Sequence, residues 1–224
     1  MAAKPADGTP YGKAYAAGRQ AQRQLLLDAA SQLLETEGPE ALTMRRIASA
    51  VGSSTSVLYS MFGSKAGIAE ALWCEGFERL YAALAAVDGD DPLARLAAMG
   101  QAYRDSALNN HSYYGVMFAR PIPEFVPSAE AYEVSLRPLR LLTDAVEACI
   151  EAGVFRRVDP AHAARVLWAA SHGVVSLELA GYEGDIDADA CYRDLLAAAG
   201  AWFLAPTPAV SGRTAAKKRK EASR

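Results

Sequence analysis

Apolar residues recur every three to four positions along most of this chain, and this periodicity limits the fold more than any other feature. The first example is the stripe formed by Leu26, Ala29, Ala30, Leu33 and Leu34. Such spacing indicates amphipathic helices, and no segment shows the sustained alternation that indicates strands. The 224-residue chain is therefore predicted to be all-α, with about nine helices.

Breaker and capping residues divide this pattern into individual helices. Gly38-Pro39 ends the first helix, Val51-Gly52 separates the second from the third, and Ser64 caps a long fourth helix. Pro138 lies inside a helical pattern and either kinks one helix or begins a new one. The predicted helices span residues 20–37, 41–50, 54–61, 64–87, 92–108, 113–118, 130–152, 160–180 and 187–204.

Charge is distributed unevenly along the chain. Residues 1–65 carry seven Lys and Arg against five Asp and Glu, and residues 206–224 carry six against one, whereas residues 66–205 carry ten against twenty. An acidic body repels phosphate, so contacts with nucleic acid are expected at the two ends. The predicted regions are a flexible arm (1–19), a small three-helix head (20–66), a larger helical body (67–205) and a disordered basic tail (206–224).

The tail contains the basic run Lys217-Lys-Arg-Lys220. It is interpreted as a solvated segment, with a nuclear signal and a sequence-independent DNA contact as the alternatives.

Cys74, Cys149 and Cys191 are far apart and odd in number, which predicts neither a disulfide framework nor a metal site. Each is predicted to be a small buried apolar residue in a reducing cytosol. No apolar run is long enough for a membrane span, and no secretory leader is recognised. The expected location is the cytoplasm, with no cofactor and no metal.

Two short helices on either side of Val51-Gly52-Ser53 form a candidate helix-turn-helix. Gly52 supplies the positive φ that a tight turn requires. In such a unit the second helix enters the DNA major groove and its first residues meet base edges. Here that helix presents small hydroxyl residues outward, while Val57, Leu58 and Phe62 are expected to face the core. A helix–glycine–helix corner alone also occurs in proteins that bind no DNA.

A longer pattern surrounds this corner. It comprises Arg23-x-x-Leu-Leu, Ala29-Ala30, Leu33-Leu34 and Gly38, then Thr43-Met-Arg45-Arg-Ile47-Ala48 and Gly52, then Leu58-Tyr59-x-x-Phe62-x-Ser64-Lys65. Over about residues 20–70 the chain resembles the DNA-binding domain of the TetR family. The resemblance implies phosphate contacts from Thr43, Ser54, Tyr59 and Lys65, and base readout at the start of the third helix. The full implied DNA-contacting set is Thr43, Arg45, Ser54, Thr55, Ser56, Tyr59, Ser60 and Lys65.

The alternatives for these residues are structural. Thr43 and Ser54 also suit plain helix caps, and Tyr59 also suits a packing role. The sequence departs from the family pattern at Ser53, Ser56 and Met61, so the base preference of family members cannot be assumed for this chain. Ala66-Gly67 removes a capping box, and Gly67 is expected to cost about 1 kcal/mol relative to Ala.

The segment Trp168-x-x-x-His172-Gly173 is similar to a helix in the sensor domain of one TetR subgroup. The similarity implies that this helix and the last one form a dimer interface, with candidate residues Leu167, Val174, Leu177, Leu195 and Ala199. It also implies a small-molecule pocket, for which the candidates are Met99, Tyr103, Tyr114, Met117, Phe118, Trp168 and His172. An aromatic stripe at this spacing is also typical of a core, and His172 of a buried, hydrogen-bonded histidine.

These features predict a homodimeric transcription regulator that binds a near-palindromic double-stranded operator. It is expected to be a repressor released by a small, largely apolar effector. The alternatives are a constitutive DNA-binding protein with no effector pocket and a helical enzyme, although no nucleophile–base grouping is recognised. A cavity within about residues 90–180 would distinguish the ligand-responsive protein from the constitutive one.

Overall fold

The computed structural model describes residues 8–119, 121–122, 125–182, 184 and 187–206. Over these residues the regular structure is helical, with one isolated bridge between Phe155 and Leu204. The helices are α1 (Pro10–Glu37), α2 (Met44–Ala50), α3 (Thr55–Phe62), α4 (Lys65–Ala85), α5 (Pro92–Asn109), α6 (His111–Phe118), α7 (Ala129–Glu151), α8 (Pro160–Leu179) and α9 (Ala188–Ala201), with a 3-10 turn at Pro39–Ala41. The predicted all-α fold is confirmed.

Helix α1 begins ten residues before its predicted start, within the region predicted to be a flexible arm. The Thr9 hydroxyl accepts a hydrogen bond from the Gly12 N–H at 3.0 Å, and Pro10 occupies the first turn, where its missing N–H costs nothing. Most of the residues that follow up to Gln20 are exposed, so no apolar stripe marks this part of the helix. Capping and helix propensity extend it instead.

Two other boundaries differ from the prediction. Helix α7 continues through Pro138 as a single helix. Helix α9 ends at Ala201 because the following backbone pairs with the segment before α8: the Arg156 N–H donates to the Phe203 carbonyl and the Ala205 N–H to the Val154 carbonyl, both at 2.8 Å. The predicted tail at 206–224 lies outside the described residues beyond Pro206.

The apolar interior is divided into two clusters that share α4. The head cluster comprises residues of α1, α2, α3 and the first turns of α4, together with Tyr113 and Val116 of α6. The body cluster contains the later α4 residues Phe77, Leu80 and Leu84 and side chains of α5 to α9. Helix α4 therefore belongs to both cores, and α6 packs against the head, which extends the head's core beyond the predicted limit at residue 66.

The cysteine prediction is correct for one residue of the three. Cys149 is buried in the body core, whereas Cys74 is half-buried and Cys191 is exposed, and all three are free thiols. Cys191 is exposed on α9, while its neighbour Tyr192 is buried in the core. Burial raises the pKa of the Cys149 thiol.

Candidate DNA-binding surface and ligand cavity

The starts of α2 and α3 differ in how they are capped. The Thr43 hydroxyl accepts a hydrogen bond from the Arg46 N–H at 3.3 Å, as a helix cap does. Ser54 occupies the cap position of α3 without a side-chain cap bond, and its hydroxyl lies 2.8 Å from that of Ser56. The first N–H groups of α3 therefore remain available to an anion such as a phosphate.

A short turn holds α2 and α3 together. Gly52 has φ of 63°, a conformation that side chains other than glycine rarely adopt. The Ser53 N–H donates to the Ala48 carbonyl at 2.8 Å, and the buried Leu58 fixes α3 on the head cluster. Val57 and Phe62 are half-buried against the same cluster. The structure thus has the helix-turn-helix arrangement that the spacing predicted.

The eight predicted DNA-contacting side chains are all exposed. They lie on α2 and α3, at the cap positions before these two helices, and at the start of α4. Tyr59 is 56% exposed, which argues against a packing role. The Lys65 ammonium donates to the Pro39 carbonyl at 3.4 Å, so the start of α4 lies beside the entry to α2. The Ser60 hydroxyl donates a hydrogen bond to the Val57 carbonyl at 2.8 Å.

Gly67 corrects an expectation about α4. Its N–H donates to the Ser64 hydroxyl at 3.1 Å, and a Cβ built at this position would overlap the carbonyl oxygen of Phe62. The absence of a side chain lets the end of α3 pack directly on the first turn of α4. We therefore expect glycine to be more stable than alanine at position 67, the opposite of what helix propensity alone predicts.

A cavity of about 740 Å³ lies within the body, between α4, α5, α6, α7, α8 and α9. Five of the predicted ligand residues line it: Met99, Tyr103, Met117, Phe118 and Trp168. Further lining residues are not recognisable from the sequence, because their spacing is that of any buried helix face. They include Trp73, Phe77, Leu139, Leu142, Arg165 and Arg193. The volume lies within the range of small-molecule sites.

Tyr114 and His172 were also predicted to contact a ligand, but they do not line this cavity. The Tyr114 hydroxyl lies 2.7 Å from His172 Nδ1 and the Tyr103 hydroxyl 3.2 Å from the same atom, while Ser176 lies 3.2 Å from Tyr114. Burial lowers the pKa of His172 and raises that of Tyr114, so both are neutral. They form a polar cluster that reaches the cavity through Tyr103.

Helix α6 touches both regions through two consecutive residues. The Tyr113 hydroxyl donates to Asp28 of α1 at 2.9 Å, and the next residue, Tyr114, points toward His172. The Arg79 guanidinium also binds Asp28, at 2.6 Å, and stacks 4.1 Å from the centre of the Tyr113 ring. Met117 and Phe118 of the same helix line the cavity. A shift of α6 would therefore change the contact between Tyr113 and Asp28 of the head.

The predicted dimer residues fall into three groups. Leu177 is 55% exposed on the outer face of α8, whereas Val174, Leu195 and Ala199 are half-buried. Leu167 is 7% exposed and belongs to the body core and the cavity wall. Leu167 is thus turned toward its own core, and little of its side chain is available to a second subunit.

None of the described helices is both long and apolar enough to cross a bilayer. No group of three or more His, Cys, Asp or Glu side chains within the described part of the chain is arranged to hold a metal ion.

Comparisons with known proteins agree with this architecture. The profile of the bacterial regulatory proteins of the tetR family matches residues 26–72, and that of the tetracyclin repressor-like C-terminal domain matches residues 96–199. An uncharacterised helix-turn-helix-type transcriptional regulator of Mycobacterium tuberculosis is 25% identical over 88% of this chain and 91% of its own.

Two solved structures show the same fold. The TetR family transcriptional regulator PfmR from Thermus thermophilus has a TM-score of 0.65 at 25% identity, covering 78% of this chain and 96% of its own. A protein of unknown function from Rhodococcus has a TM-score of 0.71 at 25% identity, covering 81% and 95%. The matched profiles include both the surface formed by α2 and α3 and most of the cavity-bearing body.

Proposed function

This chain belongs to the TetR family of transcription regulators and carries the DNA-binding domain of that family, and from this premise we propose that it is a ligand-released repressor. It acts in the cytoplasm as a homodimer on a near-palindromic operator. The observation that carries the proposal is the cavity of about 740 Å³ in the body. A constitutive DNA-binding protein would have no need for such a space, and a filled core would be more stable.

Release follows from the position of α6. An occupant of the cavity would contact Met117 and Phe118, while Tyr113 on the same helix is bonded to Asp28 of the head. A ligand that favours one position of α6 shifts the position of the head. Two heads in a dimer must match successive major grooves about 34 Å apart. A coupling of about 1–3 kcal/mol is enough to change operator occupancy.

A helical enzyme is the second candidate, and no particular observation favours it. The polar cluster that reaches the cavity through Tyr103 contains Tyr114, His172 and Ser176, and these groups bond mainly to one another. The matched relatives with a stated role are transcription regulators. We therefore propose a regulatory rather than a catalytic role.

Two substitutions in the head test DNA binding. Lys65→Ala is expected to weaken binding to all sequences alike and to reduce the salt slope by about one unit, because it removes a phosphate contact. Thr55→Ala is expected to change base preference, because Thr55 is exposed in the first turn of α3. Binding would be measured by fluorescence anisotropy on fragments selected from the organism's own genome.

Arg140→Ala serves as the matched control, since Arg140 is an exposed cation on α7 that pairs with Glu133 at 2.6 Å. It should leave both the affinity and the salt slope unchanged. If Lys65→Ala altered base preference and left the salt slope as it was, the phosphate role of Lys65 would be wrong.

The dimer is proposed to form through the outer faces of α8 and α9. Leu177 and Trp202 expose apolar surface there, and Gly173 is exposed with open space beside it. Leu177→Glu is expected to shift the protein from dimer to monomer in sedimentation velocity, because a buried unpaired carboxylate is costly. The control is Val126→Glu, an exposed apolar residue between α6 and α7, which should remain dimeric. A monomer that binds the operator normally would contradict the proposal.

A further inference from the structure

The charged residues that line the cavity are Arg165 and Arg193, and the described lining contains no Asp, Glu or Lys. This is unusual for its surroundings, because residues 66–205 carry twenty acidic against ten basic residues. The remaining wall is mostly aliphatic and aromatic. The cavity thus combines an apolar interior with positive charge, inside a body whose overall charge is negative.

Both arginines are exposed, which places their guanidinium groups where the cavity meets solvent. The Arg193 Nε donates to the Asp189 backbone carbonyl at 3.1 Å, and neither arginine forms an ion pair with a carboxylate among the described residues. A guanidinium has five N–H donors in a fork that suits an oxyanion. Most of this donor capacity is not used by the residues that the structure describes.

The other polar groups of the wall are mostly engaged. The Tyr192 hydroxyl donates to the Gly100 carbonyl at 2.6 Å, Ser171 to the Leu167 carbonyl at 3.0 Å, and Ser135 to the Tyr132 carbonyl at 2.7 Å. An exception is Trp73, whose buried indole N–H has no hydrogen-bond partner. Among the described residues, the wall therefore has N–H donors without a partner, at Trp73 and at the two arginines, and these donors suit a ligand with acceptor oxygens.

We propose that the cavity binds an amphipathic anion, whose apolar chain fills the interior and whose carboxylate-like head pairs with a rim arginine. This inference rests on the proposed ligand-released function and names the chemical class of its effector. A cationic amphiphile would meet two like charges with no carboxylate to offset them. A neutral chain would gain the apolar contacts and leave the guanidinium groups unused.

Three probes with the same ten-carbon chain separate these classes: decanoate, 1-decanol and decyltrimethylammonium, each below its micellar concentration. Binding to the full-length protein would be followed by thermal shift and by fluorescence of Trp73 and Trp168, which line the cavity. Decanoate is expected to bind at least about tenfold more tightly than 1-decanol, a difference equal to about 1.4 kcal/mol. Decyltrimethylammonium is expected to bind most weakly.

The double variant Arg165→Gln/Arg193→Gln should remove the preference for decanoate and leave 1-decanol binding unchanged, since only the charge contact is lost. The single variants identify which arginine holds the head. Arg157→Gln is the control, because Arg157 is exposed on the same body and does not line the cavity; it should keep the preference.

Operator release would be measured in parallel by anisotropy. If 1-decanol binds as tightly as decanoate, or if none of the probes binds, the inference of an anionic ligand is overturned. If decanoate binds with the expected preference yet leaves operator affinity unchanged, the anion site is supported and ligand release is contradicted. If 1-decanol releases the operator as well as decanoate does, release is supported and the anionic class is wrong.

Discussion

Replacing Glu178 by alanine is expected to lower the free energy of unfolding by about 3–5 kcal/mol, the usual cost of removing one partner of a buried ion pair. Two nitrogens of the Arg104 guanidinium bind the two carboxylate oxygens of Glu178, at 2.5 and 2.7 Å. The Arg104 side chain is 8% exposed and that of Glu178 12% exposed, so neither is well solvated. The substitution would leave the Arg104 charge on α5 buried without its main counterion.

The matched control uses the second acid that contacts the same guanidinium. Asp189 also pairs with Arg104, but its side chain is 69% exposed. Asp189→Ala is therefore expected to cost at most about 1 kcal/mol, as for solvent-screened ion pairs. Urea unfolding monitored by circular dichroism would give both values, at a protein concentration high enough to keep any dimer intact.

A third variant separates the charge from the packing. Arg104→Met/Glu178→Leu removes both charges and is expected to recover most of the stability that Glu178→Ala loses, because an apolar pair carries no desolvation penalty. Equal losses for Glu178→Ala and Asp189→Ala would contradict the argument that burial makes the first pair strong.

Gly67→Ala is expected to lower the stability of the head by about 3 kcal/mol or more, at the upper end of the range for overpacking. The added Cβ would overlap the backbone carbonyl of Phe62, and a backbone group moves less easily than a flexible side chain. Relief requires α3 to move away from the first turn of α4. Since α3 carries Thr55 and Tyr59, operator binding should be lost together with stability.

Gly18→Ala is the control for this prediction. Gly18 lies on the exposed face of α1, and a Cβ there meets nothing within 4 Å. Ordinary helix propensity should then apply, with a gain of up to about 1 kcal/mol. Opposite signs for the two glycine-to-alanine changes are the expected result in the same unfolding assay. A stabilising effect of Gly67→Ala would show that the contact with Phe62 is wrong.

Local patterns in the sequence were enough for the helices and for the head. Spacing of three and four residues predicted the helices, and Ser64, Asp91 and Asp159 cap the helices that follow them, as their positions predicted. The residues of α2 and α3 that the resemblance over residues 20–70 assigns to DNA contacts are exposed. These features are decided by neighbours within one or two turns, so they can be inferred from the order of residues.

Features that depend on distant contacts were missed or misassigned. An apolar stripe marks the buried face of α8, but it does not tell whether Leu167 packs on its own core or on a second subunit. Nor does it tell whether a buried aromatic residue lines a cavity: Trp168 does, whereas Tyr114 and His172, which share the same predicted role, do not. Gly67 was judged by helix propensity alone, because nothing in its local sequence reveals the Phe62 carbonyl beside it.

The amino-acid sequence by itself determined the all-α class, most helix boundaries and the helix-turn-helix, because caps, breakers and apolar periodicity act over a few residues. The tertiary structure decided the cavity, the contacts of α6 with both regions and the burial of Arg104. Each of these depends on side chains far apart in sequence, such as Arg104 and Glu178, and on whether packing between helices closes or leaves a space. Whether a space is closed depends on how several helices fit together, and each helix contributes only one of its faces to that fit.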